Sequence, residues 1–242
     1  YNKKIPKAII VVHLGGNPCN MKQIFNLSKK YGFKIIEDSS HALGSKYHKY
    51  NIGDCKYSDI SIFSFHPVKI ITSAEGGCAT TNNKKIYEKL EMIKVNGITK
   101  EFKKLKQKNK NLFYYEQQML GYNFRLNELQ SALGLSQLKQ LDNFIKKRIA
   151  IAKYYKKELY SLPLSFQKIQ HKSTSAYHLF IIQTEKKYRN KLFKYLKKNS
   201  IFANLHYIPI YKHAYYKELG YSKINLENSE DYYSHSLSLP IY

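Results

Sequence analysis

The sequence predicts an α/β fold, with a large domain on a mainly parallel sheet over residues 1–161 and a smaller α+β domain over residues 162–242. Three observations lead there. Short apolar runs rich in β-branched residues alternate with segments of helical periodicity in the N-terminal part. The order strand, helix, strand favours parallel pairing, because parallel neighbours need a crossover between them. Pro163 then interrupts a helical pattern, and a second set of elements begins.

The elements follow in order. KAIIVVHL, residues 7–14, is short, apolar and β-branched, which predicts a buried strand. GGNPCN supplies turn formers and reads as a loop. MKQIFNLSKKYG predicts a helix stopped by Gly32. FKIIEDSS is a second strand that runs into acidic and hydroxyl residues at its C-terminal end. SDISIFSF and GCATTN are a third and a fourth strand, and KKIYEKLEMIKVNG is a helix closed by Gly97. Residues 100–111 are rich in lysine and read as a charged linker over the surface. Leu126, Leu129, Leu133, Leu138, Leu141, Ile145 and Ile149 recur mostly three or four residues apart, which predicts one long helix with an apolar stripe. Beyond Pro163, AYHLFIIQT reads as a strand, RNKLFKYLKKNSI as a helix and FANLHYIPIY as another strand-like run.

Composition narrows the function. The chain has 242 residues and is 43% hydrophobic, enough to bury a core. Its formal charge of +24 would ordinarily point to a polyanion partner. Yet the 41 basic residues include only three arginines, Arg125, Arg148 and Arg189. Bidentate recognition of phosphates and bases favours arginine, so no specific nucleic-acid partner is expected. No run is long and apolar enough for a membrane span, and no secretory signal opens the sequence. Cys19, Cys55 and Cys78 are odd in number and widely spaced, which argues against disulfides and zinc and for a reducing, cytoplasmic setting. The chain starts at Tyr1 without an initiator Met, and is expected to be a piece of a longer protein.

Three segments carry chemistry. In IIEDSSHALGS, residues 35–45, acids, hydroxyls and a histidine follow a strand, where open α/β sheets bind ligands. A carboxylate there can hold a cationic ring nitrogen. In SIFSFHPVKIITSAEGG, residues 61–77, a lysine sits between two strands among apolar and small neighbours. Desolvation lowers a lysine's pKa and makes its amine nucleophilic. Ser64, Thr72 and Ser73 are candidate phosphate donors, and Gly76 and Gly77 would let backbone approach a ligand. In GYNFRLNELQSALGLSQL, residues 121–138, an Asn and an Arg precede a helix whose N-terminus can help to bind an anion. Alone, each feature has a plain structural explanation: a surface lysine, a turn aspartate, capping hydroxyls and amides.

Together and in this order, the segments resemble the DegT/DnrJ/EryC1/StrS family of sugar aminotransferases that use pyridoxal 5′-phosphate (PLP). HPVK-x-IT-x-x-EGG, EDSSHALGS and YYEQQ-x-LGYN-x-R are most similar to its UDP-4-amino-4,6-dideoxy-N-acetyl-β-L-altrosamine transaminase branch, which serves pseudaminic acid synthesis. VVHLGGNPCNM and LHYIPIYKHAYY extend the likeness over nearly the whole chain. The resemblance implies a fold type I PLP-dependent transferase. It implies that Lys69 holds the cofactor as a Schiff base and that Asp38 pairs with the pyridinium nitrogen. His41 would lie near the ring hydroxyl, Ser64 would bind the phosphate, and Asn123 would reach the phosphate of the other subunit's cofactor. The last role implies a homodimer with shared active sites. His178, His206 and Tyr207 would face the sugar nucleotide. The implied reaction converts a UDP-linked 4-keto-6-deoxy-N-acetylhexosamine to the 4-amino sugar, with glutamate as amino donor and no metal.

Compared with the family, the N-terminal segment and a final helix are absent, so this piece alone is expected to bind PLP poorly. The competing readings are a transaminase for another nucleotide 4-keto sugar, a non-catalytic fragment and a basic nucleic-acid-binding protein.

Overall fold

The structure, a computed structural model, describes residues 5–107 and 111–242. The chain forms two units. The first comprises the described residues of Tyr1–Val12, Asn20–Ser40 and Tyr50–Leu141, and the second comprises His13–Cys19, His41–Lys49 and Asp142–Tyr242.

In the first unit, β1 (Ala8–Val12), β2 (Lys34–Asp38), β3 (Ile60–Ser64) and β4 (Gly77–Thr80) form one sheet in that order. β1, β2 and β3 run parallel, and β4 pairs antiparallel with β3. The register places Val12 beside Asp38 and Asp38 beside Ile62. Helix α1 (Met21–Tyr31) links β1 to β2. Asn20 caps its N-terminus by accepting from the Gln23 amide, and Gly32 ends it with a left-handed φ of 77°. Helix α2 (Lys84–Ile93) follows β4, and Asn83 caps it by accepting from the amides of Lys85 and Ile86.

The two faces of this sheet differ. Val11, Ile35, Glu37, Ser61 and Phe63 are buried on one face. On the other, Ile10, Val12 and Ile62 keep 68%, 47% and 42% of their surface exposed. The expectation of a buried first strand is therefore only half met. β1 is an edge strand, and alternation puts every second side chain on the open face.

The segment expected to be a featureless linker is ordered on both sides of residues 108–110, which lie outside the described residues. Strand β5 (Ile98–Thr99) pairs antiparallel with β6 (Glu116–Gln117). The Glu116 carboxylate accepts from the amides of Lys106 and Gln107, from Gln118 Nε2 and from the Tyr114 hydroxyl. These bonds hold its pKa below the ordinary glutamate value against the opposing effect of desolvation. The expected single long helix is two, α3 (Glu128–Leu138) and α4 (Leu141–Glu158). A three-and-four spacing is equally satisfied by two helices in near phase. Asn127 and Gln130 form a capping box at the start of α3.

In the second unit, α4 is followed by β7 (Ser165–Phe166), β8 (Phe180–Gln183), α5 (Lys186–Lys198), α6 (Ala214–Glu218), α7 (Glu227–His235) and β9 (Ser236–Leu239). Its sheet is antiparallel with order β9-β8-β7. Ala152, Phe180, Ile182, Leu237 and Ile241 form its core. FANLHYIPIY, expected to be strand-like, contributes only a bridge between Asn204 and Ser238. Pro209 cannot donate to a ladder and instead starts a 3₁₀ turn over Ile210–Lys212.

Among the described residues, no helix is long and apolar enough to cross a membrane, and no cluster of side chains is placed to hold a metal ion.

Candidate active site

Lys69 lies in the loop that joins β3 to β4, and the loop is built largely from its own hydrogen bonds. The Phe65 carbonyl accepts from the Ser73 amide at 2.9 Å and from the Thr72 hydroxyl at 3.0 Å. The Phe65 amide donates to the Gly76 carbonyl at 2.8 Å, and the Lys69 amide donates to the His66 carbonyl at 2.9 Å. Ile70, Ile71 and Ser73 are buried and anchor the turn. The lysine amine is thus presented from a braced loop.

Asp38 ends β2, next to β3 in the sheet. Its Oδ1 accepts from the Ser40 amide at 3.1 Å, and its other oxygen has no hydrogen-bond partner among the described residues. Lys69 is half-buried. Burial pushes its amine below the ordinary lysine pKa, and the Asp38 carboxylate pulls it part of the way back. The sheet therefore brings these two residues into electrostatic contact at the C-terminal ends of parallel strands. Ser64 ends β3, where its Oγ accepts from the His66 amide at 3.4 Å.

Two expectations about this loop fail. The hydroxyls of Thr72 and Ser73 serve the loop itself. Thr72 donates to Phe65 and accepts from the Ala74 amide, while Ser73 donates to the Glu75 carbonyl. Gly76 and Gly77 make room for protein rather than ligand. A Cβ at Gly77 would lie 2.4 Å from the Phe63 carbonyl oxygen, and one at Gly76 would lie 2.5 Å from Leu126 Cδ2.

Asn123 makes no hydrogen bond to Lys69, Asp38 or Ser64 among the described residues. It is exposed, its Oδ1 accepts from Arg125 Nε at 2.7 Å, and it lines an open cleft of about 450 Å³ with Glu75, Gly76 and Gln130.

The second unit gathers the remaining candidates. His41 is buried, with its ring centroid 4.3 Å from that of buried His178. The Gly15 amide donates to His41 Nδ1 at 3.3 Å, which places the ring proton on Nε2, 3.4 Å from the Tyr207 hydroxyl. Neighbouring His206 is held through Nδ1 to Ser238 Oγ at 2.9 Å, and its carbonyl accepts from the Tyr232 hydroxyl at 2.9 Å. Tyr207 lines a cavity of about 760 Å³ with Ile208, Tyr211, His213 and Tyr232.

The residues that support these side chains escape sequence reasoning. Tyr232 and Ser238 act on His206 from far along the chain. The one available signal is Arg148, a cation at helical spacing between Ile145 and Ala152, both of them buried. Its Nη1 donates to the carbonyls of Tyr177 and His178.

Residues 2–242 match the DegT/DnrJ/EryC1/StrS aminotransferase family. A Campylobacter jejuni protein called UDP-4-amino-4,6-dideoxy-N-acetyl-beta-L-altrosamine transaminase is 38% identical over 239 residues, covering 97% of this chain and 60% of its own length. The solved structure of Helicobacter pylori PseC, described as an aminotransferase involved in the biosynthesis of pseudoaminic acid, superposes with a TM-score of 0.86 at 36% identity, covering 97% of this chain and 61% of its own. A Streptococcus pneumoniae protein described as a sugar aminotransferase, solved in its PLP form, gives a TM-score of 0.85 at 26% identity, covering 98% and 63%. The chain spans about 60% of the length of the curated relatives it matches.

Proposed function

The chain belongs to the DegT/DnrJ/EryC1/StrS aminotransferase family, and from that premise we propose that the protein carrying it transfers an amino group to a nucleotide-linked keto sugar with PLP as cofactor. The observation that carries this reading is the half-buried Lys69 amine, lowered in pKa by burial and coupled to Asp38. The donor set fits the cofactor. An amine whose pKa is lowered by burial suits an aldehyde, a carboxylate with an uncommitted oxygen suits a basic ring nitrogen, and the Ser64 hydroxyl suits a phosphate.

When bound, PLP supplies an electron-withdrawing ring for the electron pair released at the donor's α-carbon. Lys69 Nζ, when neutral, would hold the cofactor at its aldehyde carbon, and when free the same nitrogen would move a proton as general base and general acid. A lowered pKa keeps a neutral fraction of this amine closer to physiological pH. Asp38 is assigned to the ring nitrogen, where its carboxylate would hold a proton. His41 is assigned to the ring hydroxyl through its Nε2 proton. His178, His206 and Tyr207 are assigned to the sugar-nucleotide side.

The names of the relatives favour a UDP-linked 4-amino-4,6-dideoxy sugar and pseudoaminic acid biosynthesis; the acceptor we propose is a UDP-linked 4-keto-6-deoxy-N-acetylhexosamine, and the amino donor we propose is glutamate. Asn123 is assigned to the cofactor phosphate of a second copy, which makes the active protein a homodimer. Exposed Phe113, Leu120, Phe124 and Leu129 in the first unit supply apolar surface for such an interface. The open face of the sheet, with Ile10, Val12 and Ile62, leads us to expect that these 242 residues alone capture PLP poorly.

The test is Lys69→Ala in the complete polypeptide that carries this sequence. Transamination is expected to vanish, together with the cofactor absorbance and the borohydride-fixed cofactor mass on the peptide that contains residue 69. Full activity in that variant would end the proposal. Product NMR identifies the sugar.

A further inference from the structure

We propose that Arg148 is a positioning residue for the substrate side of the site, acting through the backbone of Tyr177 and His178 to hold the His41–His178 pair in place. The inference deepens the proposed function, and it rests on the reading that His178 faces the sugar nucleotide.

Arg148 lies on α4 on the same face as buried Ile145 and Ala152. Its Nη1 donates to three carbonyls, those of Tyr177 at 3.2 Å, His178 at 3.4 Å and Ile241 at 2.5 Å. No carboxylate forms an ion pair with it among the described residues. Burial pushes its pKa down, yet an arginine remains charged. A half-buried cation that meets neutral oxygens and no carboxylate among the described residues is a costly way to add stability. Its geometry instead ties the turn before β8 to the segment after β9.

That turn needs holding. Tyr177 has a left-handed φ of 48°, which an L-residue with a large side chain adopts only under constraint. The Tyr177 amide donates to Ser175 Oγ at 3.0 Å. The Ala176 amide donates to Ser45 Oγ at 3.0 Å, and Ser45 Oγ in turn donates to the Gly16 carbonyl at 2.7 Å. A Cβ at Gly16 would lie 2.9 Å from the His41 carbonyl oxygen and 3.2 Å from the His178 nitrogen. The His13–Cys19, His41–Lys49 and 173–179 segments are thus closely packed around the two histidine rings. Arg148 engages the last of them through the carbonyls of Tyr177 and His178.

The experiment uses the complete polypeptide with four variants: Arg148→Met, Arg148→Lys, His178→Ala and the Arg148→Met/His178→Ala double. His178→Ala is expected to raise KM for the sugar nucleotide. Arg148→Met is expected to raise the same KM by about tenfold to a hundredfold, the range for losing a charged hydrogen bond, while Lys69 still captures the cofactor. The double variant should be no more than about twofold worse than His178→Ala, because both changes remove one interaction. Arg148→Lys should recover part of the loss, since an ammonium keeps the charge and the donors but carries them on a flexible stem without the fixed planar geometry of a guanidinium. Amide hydrogen exchange gives an activity-free readout. In Arg148→Met the 173–179 segment should exchange faster, with β8 unchanged.

Unchanged exchange in that segment, or KM effects that multiply in the double variant, would overturn the role of Arg148 and leave the proposed function standing. An unchanged KM in His178→Ala would overturn the substrate-side reading itself and the Arg148 proposal with it. Cofactor capture at Lys69 tests the family reaction separately from both.

Discussion

Gly16→Ala offers the sharpest stability test, because the structure separates its two costs. Gly16 has a φ of 91°, in the region where an L-residue pays about 1–2 kcal/mol. An added methyl would also sit 2.9 Å from the His41 carbonyl oxygen, 3.1 Å from the Tyr177 nitrogen and 3.2 Å from the His178 nitrogen. All three are backbone atoms, so none can swing aside as a side chain would. Overpacking of this kind costs about 1–3 kcal/mol. The total is about 2–5 kcal/mol, a large share of the stability of an ordinary domain. Gly32→Ala is the control. Its φ of 77° carries the dihedral cost, but nothing lies within 4 Å of the new carbon. Urea denaturation of both variants in the complete polypeptide should place Gly16→Ala below Gly32→Ala by at least about 1 kcal/mol. Equal losses would refute the claim that three segments are packed against one another at Gly16.

Two further outcomes follow from single contacts. Asp38 raises the Lys69 pKa against the lowering effect of burial, so Asp38→Asn should let the amine deprotonate at lower pH. Competitive amine labelling followed by mass spectrometry across a pH series measures this without cofactor, and a shift upward, or none, would contradict the coupling; in the loaded enzyme the same variant should turn over more slowly. Phe180→Ala should destabilise the second unit by about 3–5 kcal/mol, since Phe180 is buried at the centre of a core with Tyr155 stacked at 4.9 Å and Phe166 tilted at 5.8 Å; a loss below about 1 kcal/mol would deny it that place.

The sequence by itself determined the elements of the parallel sheet and the helices α1, α2 and α5, and it marked a loop lysine and a strand-end carboxylate as separate candidates. Those features are local: apolar alternation, a capping Asn or Gly, and a lysine flanked by apolar and small residues all act within a few positions. The tertiary structure alone decided which hydroxyls and glycines near Lys69 were already engaged. Thr72, Ser73, Gly76 and Gly77 look free to serve a ligand in one dimension, yet Phe65, Glu75, Phe63 and Leu126 take them up in three. It also decided where the apolar stripe breaks between α3 and α4, and that a carboxylate at Glu116 orders a segment whose lysines suggest only solvent. The support of His178 by Arg148, and of His206 by Tyr232 and Ser238, joins residues some 26 to 32 positions apart. Hydrogen bonds across such separations depend on how the chain returns to itself, and no periodicity records that.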